Sequence, residues 1–223
     1  MTTDGISPRQ FQESTGVEDW RVLGEGAFAF FATGSLEASA RFALAVAGLD
    51  GIDDHPPTID IRAGGVTLRV VTLADDWAGV TERDVAFARR ISAVARDLGL
   101  AADPSAVQHL LVVPGAPDPA AILPFWRAVL GYASRPDSPD EDLVDPHGRD
   151  ASFWFEQMRE PRPGGTGAVH LAVWVPAEEA EALVAAALAA GGRMVRDANV
   201  PDWWTLADAA GNEVDVATAL GRG

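Results

Sequence analysis

The chain of 223 residues contains no cysteine, which excludes disulfides, thiolate nucleophiles and cysteine-ligated zinc. Basic residues are scarce: 17 stand against 33 acidic ones, for a net charge of −16. A surface this negative repels phosphate, so nucleic acids and anionic lipid surfaces are not expected partners. No apolar run approaches the ~20 residues of a membrane span. The N-terminal MTTDGISPRQ has no basic segment leading into an apolar one, so no secretory signal is read and a cytoplasmic location is expected. Histidine is limited to four copies, which makes the position of each one informative. The Gly164-Gly165-Thr166-Gly167 stretch lacks the lysine and following helix of a phosphate loop, and no nucleophile-elbow motif is present.

What is present is a core-forming composition, 48% hydrophobic, on a chain too long for one small domain. The first half reads as helix, two strands, helix, two strands, helix. Pro8–Thr15 is helical and stops at Gly16. Trp20–Leu23 and Ala27–Ala32 form a hairpin about Gly24-Glu25-Gly26. Ser35 caps a second helix that carries Leu36, Phe42, Ala43 and Val46 and ends by Gly48. Thr58–Arg62 and Val66–Leu73 alternate around Gly64-Gly65 as a second hairpin. Thr81 caps a third helix, with Arg83 or Asp84 in the place of a capping-box acid. Its apolar face is Val85, Ala88, Ile91, Val94, Ala95 and Leu98. Residues 101–105, with Pro104, read as a linker, giving domains at residues 1–101 and 106–223.

The second half repeats itself. Leu143-Val-Asp145-Pro-His-Gly148-Arg149 matches Leu206-Ala-Asp208-Ala-Ala-Gly211-Asn212 at an offset of 63 residues, and strand Gln108–Val113 matches Val169–Val175 at an offset near 61. Each copy runs strand, helix, then strands. The helices are Pro119–Leu130, capped by Asp118 and stopped by Gly131, and Glu178–Ala190, stopped by Gly191-Gly192. Two βαβββ units of about 60 residues cannot each bury a sheet face alone, so they are expected to pack about a pseudo-twofold cleft. The fold class expected is α+β.

Two resemblances follow from these segments. The second half, over about residues 106–219, resembles the vicinal oxygen chelate superfamily (glyoxalase, bleomycin-resistance and dioxygenase proteins). It does so in His109-Leu-Leu-Val-Val, Phe125-Trp126-Arg127-Ala-Val-Leu130-Gly131-Tyr132, Val169-His170-Leu-Ala-Val and the closing Asp208-Ala-Ala-Gly211-Asn212-Glu213-Val214-Asp215-Val216. The first half resembles pterin-4a-carbinolamine dehydratase in its αββαββα order, in Asp54-His55-Pro56, and in Gly79-Val80-Thr81-Glu82-Arg83-Asp84 opening the last helix. That family carries His-His-Pro and a further histidine, whereas Asp54 and Asp75 stand at two of those positions, and only His55 keeps an imidazole.

The first resemblance implies a metal set of His109, Glu156, His170 and Asp215. Strand parity is consistent with it. His109 shares a face with Leu111 and Val113, His170 with Ala172 and Trp174, Asp215 with Glu213, and Glu156 with Trp154 and Met158. Two imidazoles and two carboxylates suit Zn, Ni, Mn, Fe or Co, and an open position on such an ion would let a small molecule with vicinal oxygens chelate, for lyase, isomerase or oxygenase chemistry. The alternative is a metal-free cleft of a non-catalytic binding protein, in which Trp154, Trp174, Trp203 and Trp204 stack against a flat ligand, and Trp126 belongs to the core. In the first half, Asp54, His55 and Asp75 are the candidate acid–base residues for carbinolamine dehydration. Both resemblances imply a homodimer.

Overall fold

The computed structural model describes residues 5–74, 76–158, 169–207 and 213–219; Asp75, the 161–167 connection and the 208–212 turn of the repeat lie outside the described residues. Mixed helix and strand content makes the protein α+β. The chain divides into two compact units, residues 1–73 with 78–108 and 219–223, and residues 109–218 with 74–77. Among the described residues no helix is long and apolar enough to cross a membrane.

The first unit runs β1 (Gly5–Ile6), α1 (Pro8–Glu13), β2 (Arg21–Leu23), β3 (Gly26–Ala32), α2 (Leu36–Ala47), β4 (Thr58–Ile61), β5 (Gly65–Val70), β6 (Thr72–Ala74), β7 (Trp77–Thr81), α3 (Glu82–Asp97) and β8 (Ala101–Ala102). Strands β2-β3-β5-β4 form an antiparallel sheet. Gly65 is required where β5 meets β3, because a Cβ there would lie 2.6 Å from the backbone oxygen of Phe31. The strand expected over Val66–Leu73 breaks at Val71. After Val70 the chain leaves this sheet, and β6 joins a second one, β1-β7-β6, which the alternation pattern did not reveal.

Helix α3 buries Asp84, Val85, Phe87, Ala88, Ile91, Ser92 and Ala95. Leu98, expected on that face, is 41% exposed because it is the residue that caps the helix end. Trp20 is fully buried against this helix and donates from Nε1 to Ser92 Oγ at 3.1 Å, so a large apolar ring is placed without leaving its N–H unpaired. The expected linker is folded. Ala101 and Ala102 pair with Ala32 and Phe31, and Pro104–Ala106 makes a 3-10 turn capped by Asp103.

The second unit contains β9 (His109–Ala116), α4 (Pro119–Leu130), β10 (Ala133–Ser134), β11 (Asp142–Val144), β12 (Ser152–Trp154), β13 (Glu156–Gln157), β14 (Val169–Trp174), α5 (Ala177–Ala189), β15 (Arg193–Arg196), β16 (Trp203–Ala207) and β17 (Glu213–Ala217). Its main sheet is ordered β10-β11-β12-β9-β14-β17-β16-β15, with β13 continuing β12 along β9. Each repeat therefore contributes a mixed half-sheet whose first strand is parallel to its last, and the halves join through the antiparallel pair β9–β14. Asp118 caps α4 with Pro119 in its first turn, the helix runs through Pro124, and Gly131 ends it at φ 68°, a left-handed conformation that favours glycine.

One face of the sheet packs on the helices. Val173, Trp204, Leu206, Val214 and Val216 meet Ala180, Val184 and Ala187 of α5, and Val112, Leu143, Phe153 and Phe155 meet Leu123 and Trp126 of α4. The alternate residues on each strand consequently share the opposite face, which carries the candidate site.

Candidate functional site

The register of the joined strands sets the site out in rows across that face. His109 on β9 pairs with Trp174 on β14, Trp174 with Ala217 on β17, and Ala217 with Trp203 on β16. The neighbouring row is Leu111, Ala172, Asp215 and Thr205. In the next, Val113 pairs with His170. Because side chains alternate and paired residues share a face, all of these project to one side.

His170, Asp215 and Thr205 form a connected group. His170 is 7% exposed, and its Nε2 lies 3.3 Å from Asp215 Oδ2. The other oxygen of Asp215 accepts from Thr205 Oγ1 at 2.6 Å, and Thr205 is itself buried. Burial alone would raise the pKa of Asp215, but the hydrogen bonds from His170 and Thr205, aided by the charges of His170 and Arg196, outweigh it and hold the carboxyl below its ordinary value. The group is thus an ionised carboxylate fixed on one side by a hydroxyl and on the other by an imidazole. An Nε2–H donated to the carboxylate leaves Nδ1 of His170 as the ring's lone-pair nitrogen.

The remaining members of the expected metal set are placed elsewhere on the face. His109 is four residues along β9 from Val113, the partner of His170, which is about 13 Å at ~3.3 Å per residue. Glu156 pairs with Gly115, on the other side of β9 from His170. The register sets His109 and His170 four residues apart along the strand pair, and among the described residues no three His, Asp or Glu groups form a ligand set. The physical reason is the repeat itself. His109 and His170 are equivalent residues of two copies, and antiparallel pairing about Leu111 and Ala172 carries equivalent positions to opposite ends of the strand pair.

The four tryptophans divide between the two faces. Trp174 is 6% exposed beside His109, Trp203 is half-buried in the same row, and Trp154 is 38% exposed on this face, paired with Asp142. Trp204 is a correction to the stacking expectation. It pairs with Val216 and is buried in the α5 core, since adjacent residues on a strand cannot both face the cleft. Trp126 packs on Phe153 at 5.4 Å between ring centres, in the core as expected.

In the first unit, His55 Nε2 lies 2.7 Å from Asp84 Oδ1. Asp84 has no exposed surface. Its second oxygen accepts from the Thr81 backbone N–H at 2.8 Å, from Thr81 Oγ1 at 2.7 Å and from Thr72 Oγ1 at 2.7 Å. Burial pushes the Asp84 pKa up, yet the hydrogen bonds from His55, Thr72 and Thr81 win and the carboxyl sits below its ordinary value. Asp84 is therefore the capping-box acid of α3 and the partner of His55 at once. The sequence marks Asp84 as a helix cap, and its spacing to His55 and Thr72 carries no local signal. Asp54 is exposed on the turn before His55 and does not join this network. Asp75 lies outside the described residues.

Residues 111–217 match the family model of the Glyoxalase-like domain. No curated protein matches the chain. The C-terminal part is glyoxalase-like. Its match covers the sheet that carries His170, Thr205 and Asp215 and stops short of the unit that carries His55 and Asp84.

Proposed function

We propose that the glyoxalase-like unit binds a small molecule with adjacent oxygens at the sheet face that carries His170 and moves a proton to or from it there. The observation that carries this reading is the His170–Asp215–Thr205 chain, in which the imidazole is backed by a carboxylate whose second oxygen is already engaged. Imidazole is the side chain that exchanges protons near neutral pH, and a carboxylate behind it fixes the ring. Trp174 and Trp203, in the row beside Asp215 and Thr205, line the same face as aromatic surface. The chemistry is proton transfer next to a carbonyl, as in an isomerase or lyase.

The test is deuterium exchange from solvent into a panel of α-hydroxycarbonyl compounds, followed by NMR with the purified full chain. Exchange that disappears in His170→Gln and Asp215→Asn supports the reading, and exchange unchanged in both ends it. Repeating the panel with added Ni, Zn, Mn, Fe or Co examines the metal-assisted form expected from the resemblance. Saturable binding without exchange would identify a binding module. Sedimentation of the same sample tests the expected homodimer.

A second reading is favoured by the His55–Asp84 pair at 2.7 Å, namely acid–base chemistry of the carbinolamine-dehydration type in the first unit. Its test compares wild type with Asp54→His/Asp75→His. An inert wild type and an active double variant would show a lost site, activity in both a retained one, and inertness in both would reject the reading.

A further inference from the structure

Helix α3 places Arg83, Phe87 and Arg90 at one-turn spacing beside Asp84. The guanidinium carbons of Arg83 and Arg90 lie 5.9 Å and 5.1 Å from the centre of the Phe87 ring. The His55 imidazole lies 5.4 Å from that same ring, tilted by 47°. One buried aromatic side chain, 6% exposed, thus gathers two arginines and the imidazole of the dyad.

These arginines differ from others on the molecule. Arg41, Arg62, Arg135 and Arg149 each pair with a carboxylate. Among the described residues Arg83 and Arg90 have Phe87 as their partner and no carboxylate. A guanidinium laid over a ring keeps its N–H donors in its own plane, directed away from the ring edge, in the fork that matches an oxyanion. Its side chain is already partly ordered, so less freedom is lost when an anion arrives. Arg83 is exposed and Arg90 half-buried, which leaves both forks within reach of a ligand.

We propose that Arg83 and Arg90, gathered on Phe87 beside His55, bind the oxyanion of a small molecule. The two guanidinium groups hold its carboxylate or phosphate, and His55 stands at the neighbouring atoms. The net charge of −16 disfavours a nucleic acid as the source of that phosphate. The inference rests on the His55–Asp84 reading for what lies beside the anion, and not for the binding itself.

Calorimetric titration of the full chain with phenyl phosphate and with benzoate tests it, the two probes separating a phosphate from a carboxylate preference. Saturable one-to-one binding of at least one probe is expected, weakened by about tenfold or more in Arg83→Gln/Arg90→Gln. Arg41→Gln, on an exposed arginine of α2, serves as control and is expected to bind as wild type does. His55→Gln is expected to keep binding within about threefold while losing any dehydratase turnover, so that failure of the catalytic reading is told apart from failure of the site. No saturable binding by wild type, equal binding by the double variant, or equal weakening in Arg41→Gln overturns the proposal. Should the double variant not fold, Arg83→Gln alone is read in its place. A loss of about threefold supports the site and no loss overturns it.

Discussion

The imidazole of His55 and the fully buried carboxylate of Asp84, 29 residues apart in sequence, meet at 2.7 Å through Nε2 and Oδ1. Asp84 has its other oxygen filled by the backbone N–H and hydroxyl of Thr81 and by the hydroxyl of Thr72. One side chain therefore ties the start of α3, the β6 strand and the turn before β4 together.

Replacing Asp84 with asparagine should destabilise the first unit by about 2–4 kcal/mol, because one acceptor oxygen becomes an amide facing donors in a buried site. Urea unfolding of the full chain, followed by hydrogen exchange of the amides of α3 and β5, reads the shift in midpoint. A change below about 0.5 kcal/mol would show that these hydrogen bonds are not holding the unit together.

The same pair predicts a pH dependence with a definite sign. The Asp84 carboxyl sits below its ordinary 3.8 because hydrogen bonds from His55, Thr72 and Thr81 outweigh burial. A carboxyl with a depressed folded-state pKa adds stability that is fully present above the unfolded value and is lost as pH falls through the folded one. The stability gap between wild type and Asp84→Asn should therefore stay level from neutral pH down to about pH 4 and close below it. Denaturation midpoints at stepped pH measure the gap. Closure already near pH 6 would implicate the charge of His55 instead.

Tryptophans on the two faces of the sheet should differ in what they cost when removed. Trp204, 8% exposed in the α5 core, should cost about 3–5 kcal/mol when replaced by alanine. Trp154, 38% exposed on the other face, should cost under about 1 kcal/mol on the same substitution, and so should leave ligand binding as its main readout. Thermal melts of Trp154→Ala, Trp203→Ala and Trp204→Ala settle the order. A Trp204→Ala protein as stable as Trp154→Ala would contradict the face assignment.

The tryptophans also show where the sequence was legible. Hairpins about Gly24-Glu25-Gly26 and Gly64-Gly65 and the caps Ser35, Thr81 and Asp118 are local signals, and each lies where expected. Strand parity likewise put His109, His170 and Asp215 on one face. Parity, however, is position modulo two. It says which side a residue faces and nothing about distance along the strand, so it could not show that antiparallel pairing parts His109 from His170. Nor could it separate Trp203 from Trp204 without a register. The Thr72–Asp84–His55 network was hidden for a related reason. Its members lie on three elements, and Asp84 already had a sufficient local explanation as a helix cap.

Thr205 is the residue that the sequence reading passed over in the glyoxalase-like unit, and it carries the last prediction. Its hydroxyl is buried, with 2% of the residue exposed, and donates to Asp215 Oδ1 at 2.6 Å from the paired position on β16. Thr205→Val keeps the shape and removes the donor, leaving a buried carboxylate oxygen without that bond. The expected cost is about 1.5–3 kcal/mol, the range for hydrogen bonds to charged groups. Because burial is the largest influence on Asp215 and raises its pKa, loss of one opposing bond should move the carboxyl up toward its ordinary value. As Asp215 also lies 3.3 Å from His170 Nε2, the NMR titration of the His170 ring should shift with it, and Thr205→Ser should restore both the titration and the stability. A valine variant that loses stability but leaves the His170 titration where it was would make Thr205 a packing residue, with no hold on the imidazole through Asp215.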